Sequence, residues 1–208
     1  MITVWRIVLD ASAPPAAGAV AELAADERAR AARYGTVDLR NRWLHAHVAM
    51  RRILAGEAGV APAAIAYGVG SAGKPFLSAP GNSGVEFSLS DSGDLALLAI
   101  SKEGPVGVDL ERILPLPQMV AVARSHFSRE DFEALVALPA TEQLSAYYRL
   151  WTRTEAYLKG VGIGLGQRLD RFTSAHRWNL TDLDVAPNYA AALAFEGLAE
   201  PRLEEWSG

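Results

Sequence analysis

The chain of 208 residues contains no cysteine. That excludes a disulfide framework, a thiolate metal site and a cysteine nucleophile, and it suits a reducing compartment such as the cytoplasm. No apolar run approaches the roughly 18–20 residues of a membrane span. The opening MITVWRIVLDASAPPAA lacks the basic start and long apolar stretch of a signal peptide. A cytoplasmic protein without a membrane partner is therefore expected. Excess positive charge is missing too. At a net −4 the chain is no general polyanion binder, and nucleic acid is not an expected partner. Histidine is sparse. His45 and His47 have a spacing that could ligate zinc from a strand but not easily from a helix, where positions i and i+2 diverge. His126 and His176 have no partner visible in the sequence, and Ser92 has no G-x-S-x-G context around it.

What is present suits a folded chain: 50 % apolar and 21 % charged residues. The charge is uneven. From Asp26 to Arg52 seven arginines face Asp26, Glu27 and Asp38, a local +4 that leaves −8 for the rest. A basic stretch in an acidic chain suits a discrete anionic ligand.

Residues 2–9 read as a strand with Thr3, Trp5 and Ile7 on one face. Residues 19–32 read as an Ala-rich helix, and 37–55 as a second helix ended by Gly56 and Gly59, with Arg42 outside its apolar set. Three glycines precede Lys74 and Pro75 in a turn whose spacing is not that of a Walker A loop. Residues 85–101 read as a hairpin turning at DSGD, with Ser90 near the end of its first arm. After a short link at 102–105 comes VGVDLE, residues 106–111. On a strand, Asp109 and Glu111 share a face. Two readings are open there: a charged sheet edge, or a pair of oxygen ligands for Mg²⁺. Ser128 starts a helix with Asp131 three residues on. The helix at 141–159 carries an apolar stripe of Leu144, Tyr147, Tyr148, Trp151 and Leu158. Glu155 falls inside that stripe, and Lys159 lies one turn further, about 6 Å along the axis. A carboxylate on an inward face needs a metal or a cation. Gly160, Gly162 and Gly164 end the helix and permit a close backbone approach. Residues 178–197 read as two strands, and the final residues as loose. Trp5, Trp43, Trp178 and Trp206 read as core or half-buried aromatics. FSLSDSG-DLALLAIS faintly echoes WNLTDLD-VAPNYAAALAF, which suggests an α+β chain of two similar halves, 1–103 and 104–208.

Asp109, Glu111 and Glu155 thus make a three-carboxylate set suited to Mg²⁺, with Lys74, Lys159 and the arginines available for phosphates. Carboxylates, a divalent cation and a basic surround are the parts of phosphoryl-type transfer. Some other Mg²⁺-dependent phosphotransfer or nuclease enzyme would use the same acids, without needing the Gly-Lys-Pro turn and the arginine helix together.

In their order along nearly the whole chain these segments resemble the 4′-phosphopantetheinyl transferases of the surfactin type. The matching stretches are DERARAARY, GKP at 73–75, EFSLSDS at 86–92, GVDLE at 107–111 and WTRTEAYLKGVGIGL at 151–165. The resemblance implies a pseudo-dimeric fold: each half is a small antiparallel sheet packed with a long helix, and coenzyme A sits in the cleft between them. It implies an Mg²⁺-dependent, monomeric enzyme that transfers the phosphopantetheine arm of coenzyme A to a serine of an apo acyl or peptidyl carrier protein, releasing adenosine 3′,5′-bisphosphate. Carried over by position, Asp109, Glu111 and Glu155 hold the metal, Glu155 helps deprotonate the serine, and Lys159 assists the leaving group. Asp109, Glu155 and Lys159 thereby meet the pyrophosphate. Lys74, Ser90, Asp91 and Arg42 fall at coenzyme A positions, as do Arg28 or Arg30 for its 3′-phosphate. The N-terminal half thus supplies phosphate and adenosine contacts, the C-terminal half the metal and the catalysis. Two positions depart from the family pattern. Asp91 replaces a histidine, and Thr154 replaces a lysine. They motivate an alternative, a coenzyme A-binding homologue with weak or lost transferase activity.

Overall fold

The computed structural model describes residues 1–71, 73–81, 83–163 and 178–208; Gly164 and His176 lie outside them. The first half runs β1 (Ile2–Val8), α1 (Ala17–Ala21), α2 (Ala25–Ala31), α3 (Val37–Ala58), a 3₁₀ turn (Pro62–Ala64), β2 (Ala66–Val69), β3 (Pro75–Ala79), β4 (Glu86–Ser92) and β5 (Leu95–Ser101). The second runs β6 (Val106–Arg112), α4 (Met119–His126), α5 (Arg129–Ala137), α6 (Ala140–Val161), β7 (Trp178–Asp182), β8 (Tyr189–Glu196) and β9 (Pro201–Glu205). Among the described residues no helix is long and apolar enough to cross a membrane.

Among the described residues three sheets form, with orders β4-β5-β1-β9, β2-β3 and β6-β8-β7. A strand, a long helix and a hairpin follow one another in residues 2–101 and again in residues 106–196. Both long helices have 22 residues and stop at a left-handed glycine, Gly59 or Gly162, the conformation that a side chain disfavours. Alternation sorts the core into layers. Trp5 and Ile7 of β1, with Ala96, Leu98 and Ile100 of β5, face Met50, Ile53 and Leu54 of α3. Ile2, Val4, Leu95, Leu97 and Ala99 point the other way, onto Val106, Val108, Leu110, Leu193 and Phe195 of the second large sheet. The far side of that sheet presents Ala192 and Ala194 to Ala156 of α6. The order of layers is α3, first sheet, second sheet, α6.

Helix α6 lies directly on β6. A methyl at Gly107 would sit 2.0 Å from the Ala156 carbonyl oxygen and 2.3 Å from the Gly160 nitrogen. One at Gly160 would strike the Trp178 ring at 2.5 Å. This is the close approach that the glycines after Lys159 foreshadow.

Three sequence expectations are corrected. The Ala-rich helix at 19–32 is two helices. The Glu27 carboxylate accepts from the Ala24 amide at 2.8 Å and starts α2 afresh. Helix α3 runs through Gly56 and ends only at Gly59. The tail is not loose: β9 pairs in parallel with β1, Trp206 donates its amide to the Arg6 carbonyl at 2.9 Å, and its ring meets Trp5 edge-on at 6.2 Å. The last strand of the chain thus completes the sheet begun by the first.

Glu27 also anchors α2 to α3. Its carboxylate pairs with Arg51, which is 1 % exposed and donates to the carbonyls of Pro62 at 2.8 Å and Ile65 at 2.7 Å. Burial raises the Glu27 pKa, but the His47 ring 3.7 Å away and hydrogen bonds from the Ala24 amide and Arg51 outweigh it and leave the carboxyl below 4.5. A depressed carboxyl contributes stability above its unfolded value, and that stability is lost as pH falls through the folded one. Glu27→Gln should cost about 3 kcal/mol at pH 7 in urea unfolding, and its stability curve should converge with the unaltered protein's below pH 4.5. A constant gap at all pH values would contradict the ion pair. Gly107→Ala should cost about 3 kcal/mol and lower the melting temperature by roughly 10 °C. An unchanged melting temperature would mean that α6 does not rest on β6 there.

Candidate active site

The face of β6 opposite Val106, Val108 and Leu110 carries Gly107, Asp109 and Glu111. Gly107 touches α6, so the two acids emerge beside the inward side of that helix. Asp109 and Glu155 are both buried, and Glu111 is half-buried. Lys159 donates to Asp109 Oδ1 at 2.6 Å and to Ser90 Oγ at 2.8 Å. Ser90 in turn donates to Asp109 Oδ1 at 2.9 Å. Ser92 donates to Glu111 Oε2 at 3.0 Å.

The electrostatics follow from three acids around one ammonium. Burial, then the Asp109 charge, pushes Glu155 up to about 7. Burial raises Asp109 despite the opposing Lys159, and burial with Asp109 raises Glu111. Two buried oxygens, Asp109 Oδ2 and Glu155 Oε1, have no hydrogen-bond partner among the described residues. Buried carboxylate oxygens without donors are costly, and a cation relieves them. The donor set is all oxygen, which suits a hard divalent ion. Among the described residues, however, no three acids or histidines stand in ready-made metal-ligand geometry. The Lys159 ammonium takes one oxygen of Asp109, and Ser92 takes one of Glu111. The residues present fit a hard cation without forming a closed cage for it.

Of these groups Glu155 and Lys159 border a cleft of about 620 Å³, whose lining does not include Asp109, Glu111, Ser90 or Ser92. Glu155 and Lys159 line it from α6, Lys74 from the Gly-Lys-Pro turn, Asp91 from β4, and Arg30 and Trp43 from α2 and α3. The structure therefore gathers Ser90, Asp109, Glu111, Glu155 and Lys159 at one place, with Lys74, Asp91 and Arg30 on the walls. Lys74 donates to the carbonyls of Val106 at 3.1 Å and Gly160 at 3.0 Å, so its ammonium also ties the turn to β6 and to the end of α6. Burial lowers its pKa. Arg30 lies over the Trp43 ring at 5.9 Å. Asp91 is exposed, and among the described residues no cation pairs with it. Thr154 is buried on α6.

Two expected residues lie elsewhere. Arg28 donates to the Leu23 carbonyl and lines a separate groove with Pro14 and Arg40. Arg42 binds Asp94 at 2.7 Å at the hairpin tip, where Arg112 also reaches Asp94 at 3.4 Å. Residue type could place these arginines near the cleft; only the fold shows which one turns into it.

Sequence reasoning took Trp43 for a core aromatic and His47 for no more than a poor zinc ligand, yet their rings stack 3.7 Å apart on the cleft wall. Their spacing along the arginine-rich helix was the available signal. It also passed over Ser88, and weighed Ser92 only as a nucleophile. Those serines recur at every second residue with Ser90, which marks one strand face.

A sequence profile of the 4′-phosphopantetheinyl transferase superfamily matches residues 105–206, which hold β6, α6 and the acids. The 4′-phosphopantetheinyl transferase HetI of Nostoc sp. is 32 % identical over 94 % of this chain and 88 % of its own. A 4′-phosphopantetheinyl transferase of Bacillus subtilis is 29 % identical over 74 % of this chain and 66 % of its own. The transferase Sfp of Bacillus subtilis strain 168 is 26 % identical over 71 % and 64 %. With a relative of that identity along nearly its whole length, and Asp109, Glu111 and Glu155 gathered around Lys159 beside the cleft, this chain belongs to the 4′-phosphopantetheinyl transferase superfamily.

Proposed function

We propose that the protein is a monomeric transferase that moves the phosphopantetheine arm of coenzyme A onto a serine of an apo acyl or peptidyl carrier protein. The observation that carries this reading is a pair of buried oxygens without a hydrogen-bond partner among the described residues, Asp109 Oδ2 and Glu155 Oε1, beside Lys159, which with Glu155 lines the cleft. Asp109, Glu111 and Glu155 would hold Mg²⁺, which when bound supplies positive charge against a pyrophosphate.

The chain's own groups account for the rest. Arg30 and Lys74 offer positive charge to phosphates along the wall, and the stacked Trp43 and His47 offer a flat surface beside them. The carrier serine oxygen attacks the phosphorus that bears pantetheine. An O–P bond forms as the bridging P–O bond breaks, and adenosine 3′,5′-bisphosphate leaves. The serine proton passes to Glu155, a carboxylate that burial and the Asp109 charge make more basic. Lys159 meets the charge growing on the leaving oxygen.

A second reading is a coenzyme A-binding homologue with weak chemistry. Asp91, a carboxylate on the cleft wall with no cation paired to it among the described residues, favours it. Incubation with Mg²⁺, coenzyme A and apo carrier protein separates the two. The carrier should gain the mass of the phosphopantetheine arm; coenzyme A binding without a mass gain on any of several carriers supports the second reading. Glu155→Gln should lower kcat by about 10²-fold or more, and an unaffected kcat would remove Glu155 from the chemistry. Asp91→His should lower the KM for coenzyme A by roughly threefold, because a phosphate-repelling charge is gone. A raised KM would show that Asp91 assists binding.

A further inference from the structure

Among the described residues β6 is an edge strand of its sheet, bonded to β8 on one side. The amides of Val108, Leu110 and Arg112 on its open side would be unpaired, a cost that buried backbone does not tolerate. Serine hydroxyls of β4 satisfy them. Ser88 accepts from Val108 at 3.1 Å, Ser90 from Leu110 at 3.3 Å and Ser92 from Arg112 at 3.0 Å. The serines repeat every two residues because their strand does, and so do the amides. The two sheets are thus joined edge to edge by side chains where a continuous sheet would use backbone.

A hydroxyl has one proton to give and room for two donors. With an amide fixed on its acceptor side, the Ser92 proton is directed to Glu111, and that of Ser90 to Asp109. Each serine therefore grips residue j by its carboxylate and residue j+1 by its amide. The third rung lacks a carboxylate, since residue 107 is glycine.

We propose that Ser92 is a positioning residue for Glu111: it fixes Oε2 and leaves Oε1 to meet a cation or the substrate. This rests on the transferase reading above and adds a role for a residue to which that reading gives none. Outer-sphere partners of this kind commonly change metal affinity by about 10-fold or more.

The test uses the full chain and Mn²⁺ as the probe, titrated with coenzyme A present and followed by electron paramagnetic resonance. Ser92→Ala should weaken Mn²⁺ by about tenfold and raise the Mg²⁺ concentration for half-maximal rate to match. At saturating Mg²⁺ its KM for coenzyme A should stay within about twofold of the original. Ser92→Thr, which keeps the hydroxyl, should restore Mn²⁺ affinity. Ser88→Ala loses the same kind of amide bond with no carboxylate attached. It should lower the melting temperature as Ser92→Ala does and leave the Mn²⁺ constant in place. Wild-type Mn²⁺ affinity in Ser92→Ala, or equal weakening in Ser88→Ala and Ser92→Ala, would overturn the proposal and leave only a seam. If the unaltered chain neither binds Mn²⁺ nor modifies a carrier, the transferase reading itself fails, and this inference with it.

Discussion

A residue with no side chain, Gly107, lets α6 rest on the backbone of β6, and the site depends on that contact. At this separation the inward carboxylate of α6, Glu155, comes next to Asp109, which alternates from Gly107 on the same strand face. A side chain at position 107 would displace the helix and with it Glu155 and Lys159. Lys74 strengthens the same junction by donating to carbonyls on both elements. Fold and chemistry meet at one van der Waals contact.

The charge balance then follows. Three acids gather where one lysine is within reach, and burial makes each acid harder to ionise beside the others. Such a cluster costs stability unless something cationic joins it. Lys159 meets part of that need and lies on Asp109 and Ser90. A divalent ion would meet the rest and would free the ammonium for a phosphate. On this view the lysine has two positions, one on Asp109 and one on the substrate.

Much of this was legible in the sequence, for physical reasons. Alternation put Asp109 and Glu111 on one face, and helical spacing put Glu155 inside an apolar stripe; both periods are set by the backbone and survive tertiary packing. The parallel strand at Pro201–Glu205 was not legible, because its partner lies at the other end of the chain and its own residues are polar. The break at residues 22–24 was missed because Ala-rich sequence favours continuous helix, while the Glu27 cap that interrupts it has force only once Arg51 fixes that carboxylate. The arginines show the same limit. Charge along the helix was countable, but Arg28 and Arg42 turn to Leu23 and Asp94, and only Arg30 of the three lines the main cleft.

The central claim is that Asp109 and Glu155 share a cation at the cleft, and a crystal structure with coenzyme A and Mg²⁺ bound tests it most directly. The account predicts density for a metal between Asp109 Oδ2 and Glu155 Oε1, with the Lys159 ammonium moved from Asp109 onto a phosphate oxygen. Coenzyme A bound with Lys159 still on Asp109, and no metal between the two acids, would contradict it.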